Sequence, residues 1–335
     1  MSAQRSPATP AGALARMNAA ADALRVLALN EQVKAHVDRD PVLRPILERV
    51  ALRYIGGRTI SEVIEVIAAI NARGHAATVD YMGESCRDPA RAMAETERFV
   101  ELSESVAMHG LNCSISLDLS HVGAVIDPQL GYENASRVAA GAAAIGQEMM
   151  ISMEGSERTD LILDLHGRLC ERFENVGITI QARMHRSARD LATVLERPGR
   201  IRLVKGSYAE SESIAYPRDS PELMDAFGRF ARQLLVSGHL CSIATHDRSI
   251  HDALDEFMRS TDVARGSFEF ETLLGLGDEQ LETMRQRGHP TRVDVVFGSQ
   301  WFLYVCNRIA EDPARLFDAV VDAVGSASGD VPPRP

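Results

Sequence analysis

The residues best suited to chemistry lie where short apolar segments end. Residues 201–208 read Ile-Arg-Leu-Val-Lys-Gly-Ser-Tyr, so a strand-like run finishes in a cation, a glycine and small polar residues. Residues 242–247, Ser-Ile-Ala-Thr-His-Asp, behave in the same way, as do 267–271 and 301–311. In a barrel of parallel strands, the active site lies at the carboxyl ends of the strands. These segments therefore indicate a barrel enzyme.

Polar side chains also stand at the predicted carboxyl ends of nearly all the other strands. Surface loops could produce two or three such coincidences, but a repeat along almost the whole chain favours a shared site. With Arg202, Lys205, Thr245 and His246 of the segments above, this group comprises Asp80, Ser116, Asp118, Ser152, Glu154, Gln181, Glu269, Glu271 and Asp294.

Short segments rich in β-branched or apolar residues alternate with helical patterns at roughly thirty-residue intervals. This alternation predicts parallel βα units. Eight units favour an α/β fold of the (β/α)8 TIM-barrel type, and an open doubly wound sheet is the competing fold. No Gly-x-Gly-x-x-Gly motif follows the first strand, which weakens the competing fold as a dinucleotide-binding domain. The predicted strands begin near Ala76, Asn112, Met149, Gly177, Ile201, Leu240, Gly266 and Arg292.

A single catalytic domain is predicted over residues 21–323. The length of 335 residues suits one (β/α)8 barrel with additions. Helices over 21–70 precede the barrel, and one or two helices over 299–323 follow it. Residues 1–20 are expected to be flexible, and the Gly-, Ser- and Pro-rich tail 324–335 is expected to be disordered.

The composition is typical of a soluble globular protein, with 45% hydrophobic and 25% charged residues. A formal net charge of −11 disfavours nucleic acid and anionic membrane surfaces as main partners. Five scattered cysteines without a Cys-x-x-Cys pair indicate reduced thiols and a cytoplasmic location. We find no signal-peptide pattern and no long apolar run, and therefore expect no transmembrane segment. Peripheral membrane contact is left open.

Six segments, in order along most of the chain, resemble the proline dehydrogenase family. A single segment such as Ala-Thr-His-Asp would be weak evidence, but six in order with barrel spacing are specific. The resemblance implies a distorted barrel that binds FAD and oxidises proline to pyrroline-5-carboxylate, with a final helix over the active site. The segments are 79–84 (Val-Asp-Tyr-Met-Gly-Glu), 180–182 (Ile-Gln-Ala), 202–208, 244–247, 268–270 (Phe-Glu-Phe) and Tyr304 with 308–311 (Arg-Ile-Ala-Glu).

The resemblance implies a flavin side of the site. Arg202 would lie against flavin N5 and Gln181 would hydrogen-bond the isoalloxazine ring. A fixed guanidinium suits this chemistry because it stabilises the anionic reduced ring. The other residues implied in FAD binding are Val204, Lys205, Gly206, Ser207, Thr245, His246, Asp247 and Glu311.

The resemblance also implies a substrate side. Trp301, Tyr304, Arg308 and Glu311 recur at helical spacing and share one face. In the family, two adjacent arginines on this helix clamp the proline carboxylate, as bidentate guanidinium pairs can. Here the second is Arg308, whereas Asn307 replaces the first. The remaining implied substrate contacts are Tyr208, Leu273, Ser116, Ser152 and Asp294, with Arg202, Tyr208 and Arg308 as catalytic residues.

Several substrate-side positions depart from the family pattern. Ser116 and Ser152 stand where the family has a lysine paired with an aspartate, Asp294 where it has tyrosine, and Glu271 where glutamine is usual. The expected pocket has therefore lost cations and gained carboxylates. Loss of one charged contact costs about 1.5–3 kcal/mol. We hypothesise a proline-like amine whose carboxylate is absent, masked or bound differently.

Three other functions remain open. A metal-dependent barrel hydrolase or an aldolase could use the carboxylates, His246 or Lys205, but no metal-ligand spacing is present and no metal is expected. The chain could also be a catalytically silent FAD-binding homologue. The leading prediction is an FAD-dependent amine dehydrogenase with a small amine or imino acid as substrate and a quinone or other electron acceptor. The sequence does not predict an oligomeric state.

Overall fold

The computed structural model describes residues 10–83, 85–208, 210–218, 220–264, 266–312 and 314–324. Within them, eight strands alternate with helices. The strands are β1 Ala76–Tyr81, β2 Cys113–Leu117, β3 Met149–Ile151, β4 Val176–Gln181, β5 Ile201–Val204, β6 Cys241–Ala244, β7 Phe268–Leu273 and β8 Thr291–Phe297. The helices are α1 Pro10–Ala28, α2 Glu31–Arg39, α3 Leu43–Ala51, α4 Ile60–Ala72, α5 Pro89–Met108, α6 Pro128–Ala144, α7 Thr159–Cys170, α8 Ser187–Val194, α9 Pro221–Ser237, α10 Arg248–Arg259, α11 Asp278–Gln286, α12 Trp301–Glu311 and α13 Arg315–Val324.

The eight strands form a closed barrel in chain order, and every neighbouring pair is parallel. β1 pairs with β8, which closes the sheet and leaves no edge strand. The predicted (β/α)8 barrel is therefore confirmed and the open doubly wound sheet is excluded. Each predicted strand start lies within about two residues of the observed one.

Most barrel strands have an apolar outer face and carry polar residues on the inner face. In β2, Ile115 and Leu117 belong to the apolar core shared with the surrounding helices. The alternate residues Ser114 and Ser116 contact side chains of strands across the barrel. Because successive side chains in a strand point to opposite faces, this alternation sends polar groups into the barrel interior.

Three of the barrel helices begin with a polar N-cap followed by proline. Asp88 precedes Pro89 in α5, Asp127 precedes Pro128 in α6, and Ser220 precedes Pro221 in α9; each cap side chain accepts a backbone N–H of the first turn. Proline suits this position because its fixed φ matches the helix and its missing N–H would have no helical partner. The sequence thus indicates the first residue of each of these three helices.

The chain forms two compact units. The single catalytic domain over 21–323 stays a prediction. One unit, Gly56–Phe297, contains the barrel with α4. The other contains α1–α3 with α12 and α13. Residues 10–20, expected to be flexible, are helical and belong to α1. The predicted tail beyond residue 324 lies outside the described residues, as do residues 1–9.

Contacts between sequence-distant residues hold the second unit together. Arg53 makes a bidentate ion pair with Asp322, with Nε and Nη2 at 2.6 and 2.7 Å from the two carboxylate oxygens. Arg25 Nη2 donates to the backbone oxygen of Ala310 at 2.8 Å. Charge-assisted contacts of this geometry are stronger than neutral hydrogen bonds, and they tie the first and last helices to each other.

Candidate active site

The guanidinium of Arg202 lies inside the barrel and the residue is 5% exposed. Its Nη1 is 3.2 Å from Asp294 Oδ2 and 3.4 Å from Glu271 Oε1. Its Nε donates to Thr179 Oγ1 at 3.0 Å. These partners come from β8, β7 and β4, so their side chains meet only because the sheet closes.

A pair of serines completes the surroundings of this guanidinium. Arg202 Nη2 donates to Ser152 Oγ at 3.0 Å and to Ser116 Oγ at 3.3 Å. The two hydroxyl oxygens are 3.1 Å apart, and Ser116 Oγ donates to Asp80 Oδ2 at 3.1 Å. All five N–H groups of the guanidinium therefore have an acceptor within the barrel.

Three carboxyl groups at or beyond this level of the barrel have raised pKa values. Burial raises the pKa of Glu271 to about 7, with Arg202 opposing the increase and Asp294 adding to it. Burial and repulsion from Asp118 raise the pKa of Asp80 well above its ordinary value. Burial and Glu154 raise the pKa of Asp118 to about 7. The cause is common to all three, because a buried carboxylate loses its hydration and has too few cations nearby.

A second charged layer lies nearer the amino ends of the strands. Arg292 Nε donates to Glu269 Oε1 at 2.6 Å, and Arg292 Nη1 donates to Ser114 Oγ at 3.0 Å. Arg200 makes two contacts with Glu148, at 2.9 and 3.1 Å. Glu269 was predicted at the carboxyl end of its strand; that placement is wrong, because only Glu271, two residues later, reaches the layer of Arg202.

The end of β4 and the loop after β5 form a backbone cradle. Gln181 Nε2 donates to Glu154 O at 2.9 Å, while Gln181 Oε1 has no hydrogen-bond partner among the described residues. Gly206 has φ +104°, and a Cβ there would lie 2.7 Å from Gln181 Oε1. Only glycine combines this backbone conformation with that close approach. The amide oxygen is thus buried against the backbone of the loop and keeps an unused hydrogen-bond acceptor among the described residues.

A cation and an anion are paired on the neighbouring strand ends. Lys205 Nζ is 2.8 Å from Asp247 Oδ2. Burial opposes ionisation of Asp247, but hydrogen bonds from Lys205 and Ser249 lower its pKa to about 2. Thr245 is buried and its Oγ1 accepts the backbone N–H of Asp247, whereas His246 is exposed. Val204 is partly buried and Ser207 is exposed, and both lie at the same end of the barrel.

The residues around this end fit a flavin, with one condition. The unused amide oxygen of Gln181, the glycine at 206 and the cation of Lys205 suit a planar ring with a phosphate-bearing tail. The guanidinium of Arg202 already has five acceptors, so a flavin contact would have to replace one of them. The contact to Glu271, at 3.4 Å, is the longest and the weakest of the five.

Two predicted substrate contacts of the barrel lie at its carboxyl end. Tyr208 is 42% exposed, and Arg183 Nη1 holds its backbone oxygen at 2.5 Å. Leu273 is the last residue of β7 and is partly buried opposite Asp294 in the strand register. These positions are compatible with substrate contact, which remains a prediction.

The predicted residues of α12 share one face of that helix. The Arg308 guanidinium carbon lies 5.3 Å from the centre of the Tyr304 ring, and Arg308 Nη2 is 2.5 Å from Glu311 Oε1. Asn307 is partly buried. Because α12 belongs to the second compact unit, its predicted closure over the barrel, and with it the roles of Tyr304, Asn307, Arg308 and Glu311, stays a prediction.

Sequence reasoning left one member of the Arg202 layer unrecognised and gave another no role. Thr179 lies in the apolar run Ile-Thr-Ile of β4, where a threonine is unremarkable. Asp80 was noted at a strand end, but its contact with the serine pair could not be foreseen. The available signal was alternation, since Thr179 is two residues before Gln181 and therefore points to the same face. In the described part of the chain, no group of three or more His, Cys, Asp or Glu is placed to hold a metal ion.

A closed parallel barrel with buried charges at the carboxyl ends of its strands defines an enzyme of the (β/α)8 class. The family model described as Proline dehydrogenase matches residues 63–311. Proline dehydrogenase 2 of Bacillus subtilis (strain 168) is 30% identical over 264 residues, covering 79% of this chain and 87% of that protein. Proline dehydrogenase of Deinococcus radiodurans is 30% identical over 279 residues, covering 82% and 90%. The chain therefore belongs to the proline dehydrogenase family, and it is an oxidoreductase of the CH–NH donor class.

Solved structures support the same fold. Proline utilization A (PutA) from Bdellovibrio bacteriovorus superimposes with a TM-score of 0.76 at 18% identity. The match covers 94% of this chain but spans only 39% of that longer protein. None of the helices in the described ranges is both long and apolar enough to cross a membrane.

Proposed function

We propose that this chain is an FAD-dependent dehydrogenase that oxidises the C–H bond next to nitrogen in proline or a proline-like amine, giving an imine. The observation that carries the proposal is the buried guanidinium of Arg202 on β5 together with the buried amide oxygen of Gln181 on the adjacent strand β4, which has no hydrogen-bond partner among the described residues. Bound FAD would supply the acceptor for the hydride. Membership of the proline dehydrogenase family supports the same reaction.

The flavin side is assigned to residues of β4, β5 and β6. Arg202 would stabilise negative charge on the reduced ring, because a fixed cation in a buried site acts more strongly than one in water. Gln181 would orient the ring through its amide. Lys205 would bind the phosphate-bearing tail, with Asp247 fixing its ammonium group at 2.8 Å. The neighbouring residues assigned to the same binding surface are Val204, Gly206, Ser207, Thr245, His246 and, from α12, Glu311.

The substrate side is assigned to the carboxyl ends of β2, β3, β7 and β8 and to α12. Tyr208 and Tyr304 would pack against the amine ring, and Leu273 would exclude water beside it. Arg308 would hold a carbonyl or anionic group of the substrate. Ser116, Ser152, Asp294 and Asn307 would determine which substituents of the ring are accepted.

The electron acceptor is assigned by class to a quinone or another small oxidant, as the resemblance implies. The predicted cytoplasmic location is supported by the five cysteines, all of which are free thiols in the structure.

The test is the absorption spectrum of the purified protein, followed by anaerobic addition of cyclic amines. We expect absorbance near 450 nm, as for any oxidised flavin, and bleaching by at least one proline-like amine. Released flavin is identified by chromatography against FAD. A protein that neither contains FAD nor takes it up when FAD is added would overturn the proposal. A flavoprotein that no amine bleaches would instead support the silent homologue.

A further inference from the structure

The layer around Arg202 holds more negative than positive groups. Asp294, Glu271 and Asp80 surround a single guanidinium, to which the first two bind directly and the third through Ser116. Arg292, a further barrel cation, is engaged by Glu269 at 2.6 Å in the layer below. When its carboxyl groups are ionised, the upper layer therefore has a deficit of positive charge.

One of these carboxyl groups is only half satisfied. Glu271 is 1% exposed, and its Oε2 has no hydrogen-bond partner among the described residues. A buried carboxylate oxygen left without a partner costs the full desolvation of that atom. Oε2 of Glu271 can therefore accept a hydrogen bond from a ligand. A ligand with N–H groups and a positive charge supplies both that donor and a cation.

A further cation at the carboxyl end of the barrel, Lys205, is already engaged, because its Nζ is 2.8 Å from Asp247 Oδ2. The positions next to Arg202 on β2 and β3 carry the hydroxyls of Ser116 and Ser152, which cannot neutralise an anion. A ligand carboxylate would thus enter a layer of like charge and would compete with existing ion pairs for each cation.

We propose that the substrate of this site is a cyclic amine that binds as a cation and carries no free carboxylate. Its carboxyl group is absent or is masked as an amide or ester. Glu271 and Asp294 are the residues that select it. The inference rests on the proposed amine oxidation and names the substrate class. It follows from charge matching, since an ammonium group supplies a donor to the unpaired Oε2 of Glu271 and a cation beside Asp294, whereas a zwitterion adds a further carboxylate to a layer that already holds three carboxyl groups.

The test is the binding of three probes to the purified holoprotein at neutral pH, measured by calorimetry: pyrrolidine, L-prolinamide and L-proline. All three present the same ring nitrogen as a cation, and only L-proline also carries a carboxylate. We expect both carboxylate-free probes to bind at least tenfold more tightly than L-proline. Equal or tighter binding of L-proline would overturn the inference, as would the absence of binding by all three probes.

Two isosteric variants identify the residues responsible. Glu271→Gln and Asp294→Asn remove one negative charge each with little change in shape, and each is expected to reduce the preference for L-prolinamide over L-proline by at least threefold. Glu148→Gln, which removes a carboxylate from the lower layer, is the matched control and should keep the full preference. An unchanged preference in both upper-layer variants would refute their role.

Binding and turnover distinguish the two proposals. If L-prolinamide binds preferentially but no amine bleaches the flavin, the proposed oxidation fails while the charge selection stands. If L-proline binds best and bleaches the flavin, the oxidation stands and the charge selection fails.

Discussion

Replacing Glu271 by glutamine should stabilise the protein in alkaline solution. Burial raises the pKa of this carboxyl from 4.5 to about 7, so the folded state holds a proton that the unfolded chain releases. When the pKa of a group is higher in the folded state, its favourable effect on stability is fully present below the pKa of the unfolded chain. That effect is lost as the pH rises through the pKa of the folded state. A difference of about 2.5 in pKa corresponds to about 3 kcal/mol. Glu271 therefore lowers the free energy of unfolding by about 1 kcal/mol at pH 5 and about 3 kcal/mol at pH 8.

Glutamine keeps the shape of the side chain and can still accept a hydrogen bond from Arg202, but it does not ionise. Urea unfolding of both proteins between pH 5 and pH 8 measures the difference. We expect the variant to gain about 2 kcal/mol relative to the parent protein across this interval. The largest gain should lie above pH 7, where the parent carboxyl is mostly ionised.

Glu148→Gln is the matched control, since the same substitution should act in the opposite direction. Hydrogen bonds from Arg200, working against burial, lower the pKa of Glu148, so its ionised form stabilises the fold above its unfolded pKa. That variant should be less stable than the parent protein at neutral pH. If Glu271→Gln lost stability at pH 8 as Glu148→Gln does, the ion pair with Arg202 would outweigh the burial of the carboxylate, and the reasoning would be refuted.

Three further substitutions probe other parts of the site. Gly206→Ala should reduce both flavin content and thermal stability, because its φ of +104° and a Cβ 2.7 Å from Gln181 Oε1 leave no room for a methyl group; normal flavin content would contradict the assigned cradle. Lys205→Met should raise the pKa of Asp247 and weaken FAD retention on dialysis. The loss of fold stability should be small, because a partly exposed ion pair is worth at most about 1 kcal/mol. Full retention of FAD would show that Lys205 is not part of the cofactor site. Ser116→Ala takes a hydrogen-bond partner from the buried guanidinium of Arg202 and from the carboxyl group of Asp80, and should cost about 1–2 kcal/mol in urea unfolding; a neutral effect would show that the serine pair is not structural.

The barrel could be predicted from the sequence because its signals are local. Each strand is a short apolar run that ends in polar residues, and helices such as α5 and α9 begin at a capped proline. Both patterns arise within about ten residues of chain, so neighbouring elements need not be known to identify them.

The network around Arg202 could not be predicted in the same way. Its members come from strands far apart in the chain, and the height of each residue within the barrel depends on how neighbouring strands are staggered. Glu269 and Glu271 look equivalent in the sequence, yet one pairs with Arg292 in the lower layer and the other with Arg202 in the upper. The division into two units is equally hidden, since it depends on contacts such as that between Arg53 and Asp322.

The lower charged layer has a consequence for how the upper one can change. Its ion pairs fix the stagger of the strands, because a slip of one residue would turn Arg292 and Glu269 outward into the apolar helices. The upper layer lies two residues further along the same strands and inherits that alignment. New chemistry can therefore be introduced at the positions of Ser116, Glu271 and Asp294 while the barrel keeps its geometry, so that the lower layer preserves the scaffold and the upper layer is free to define the reaction.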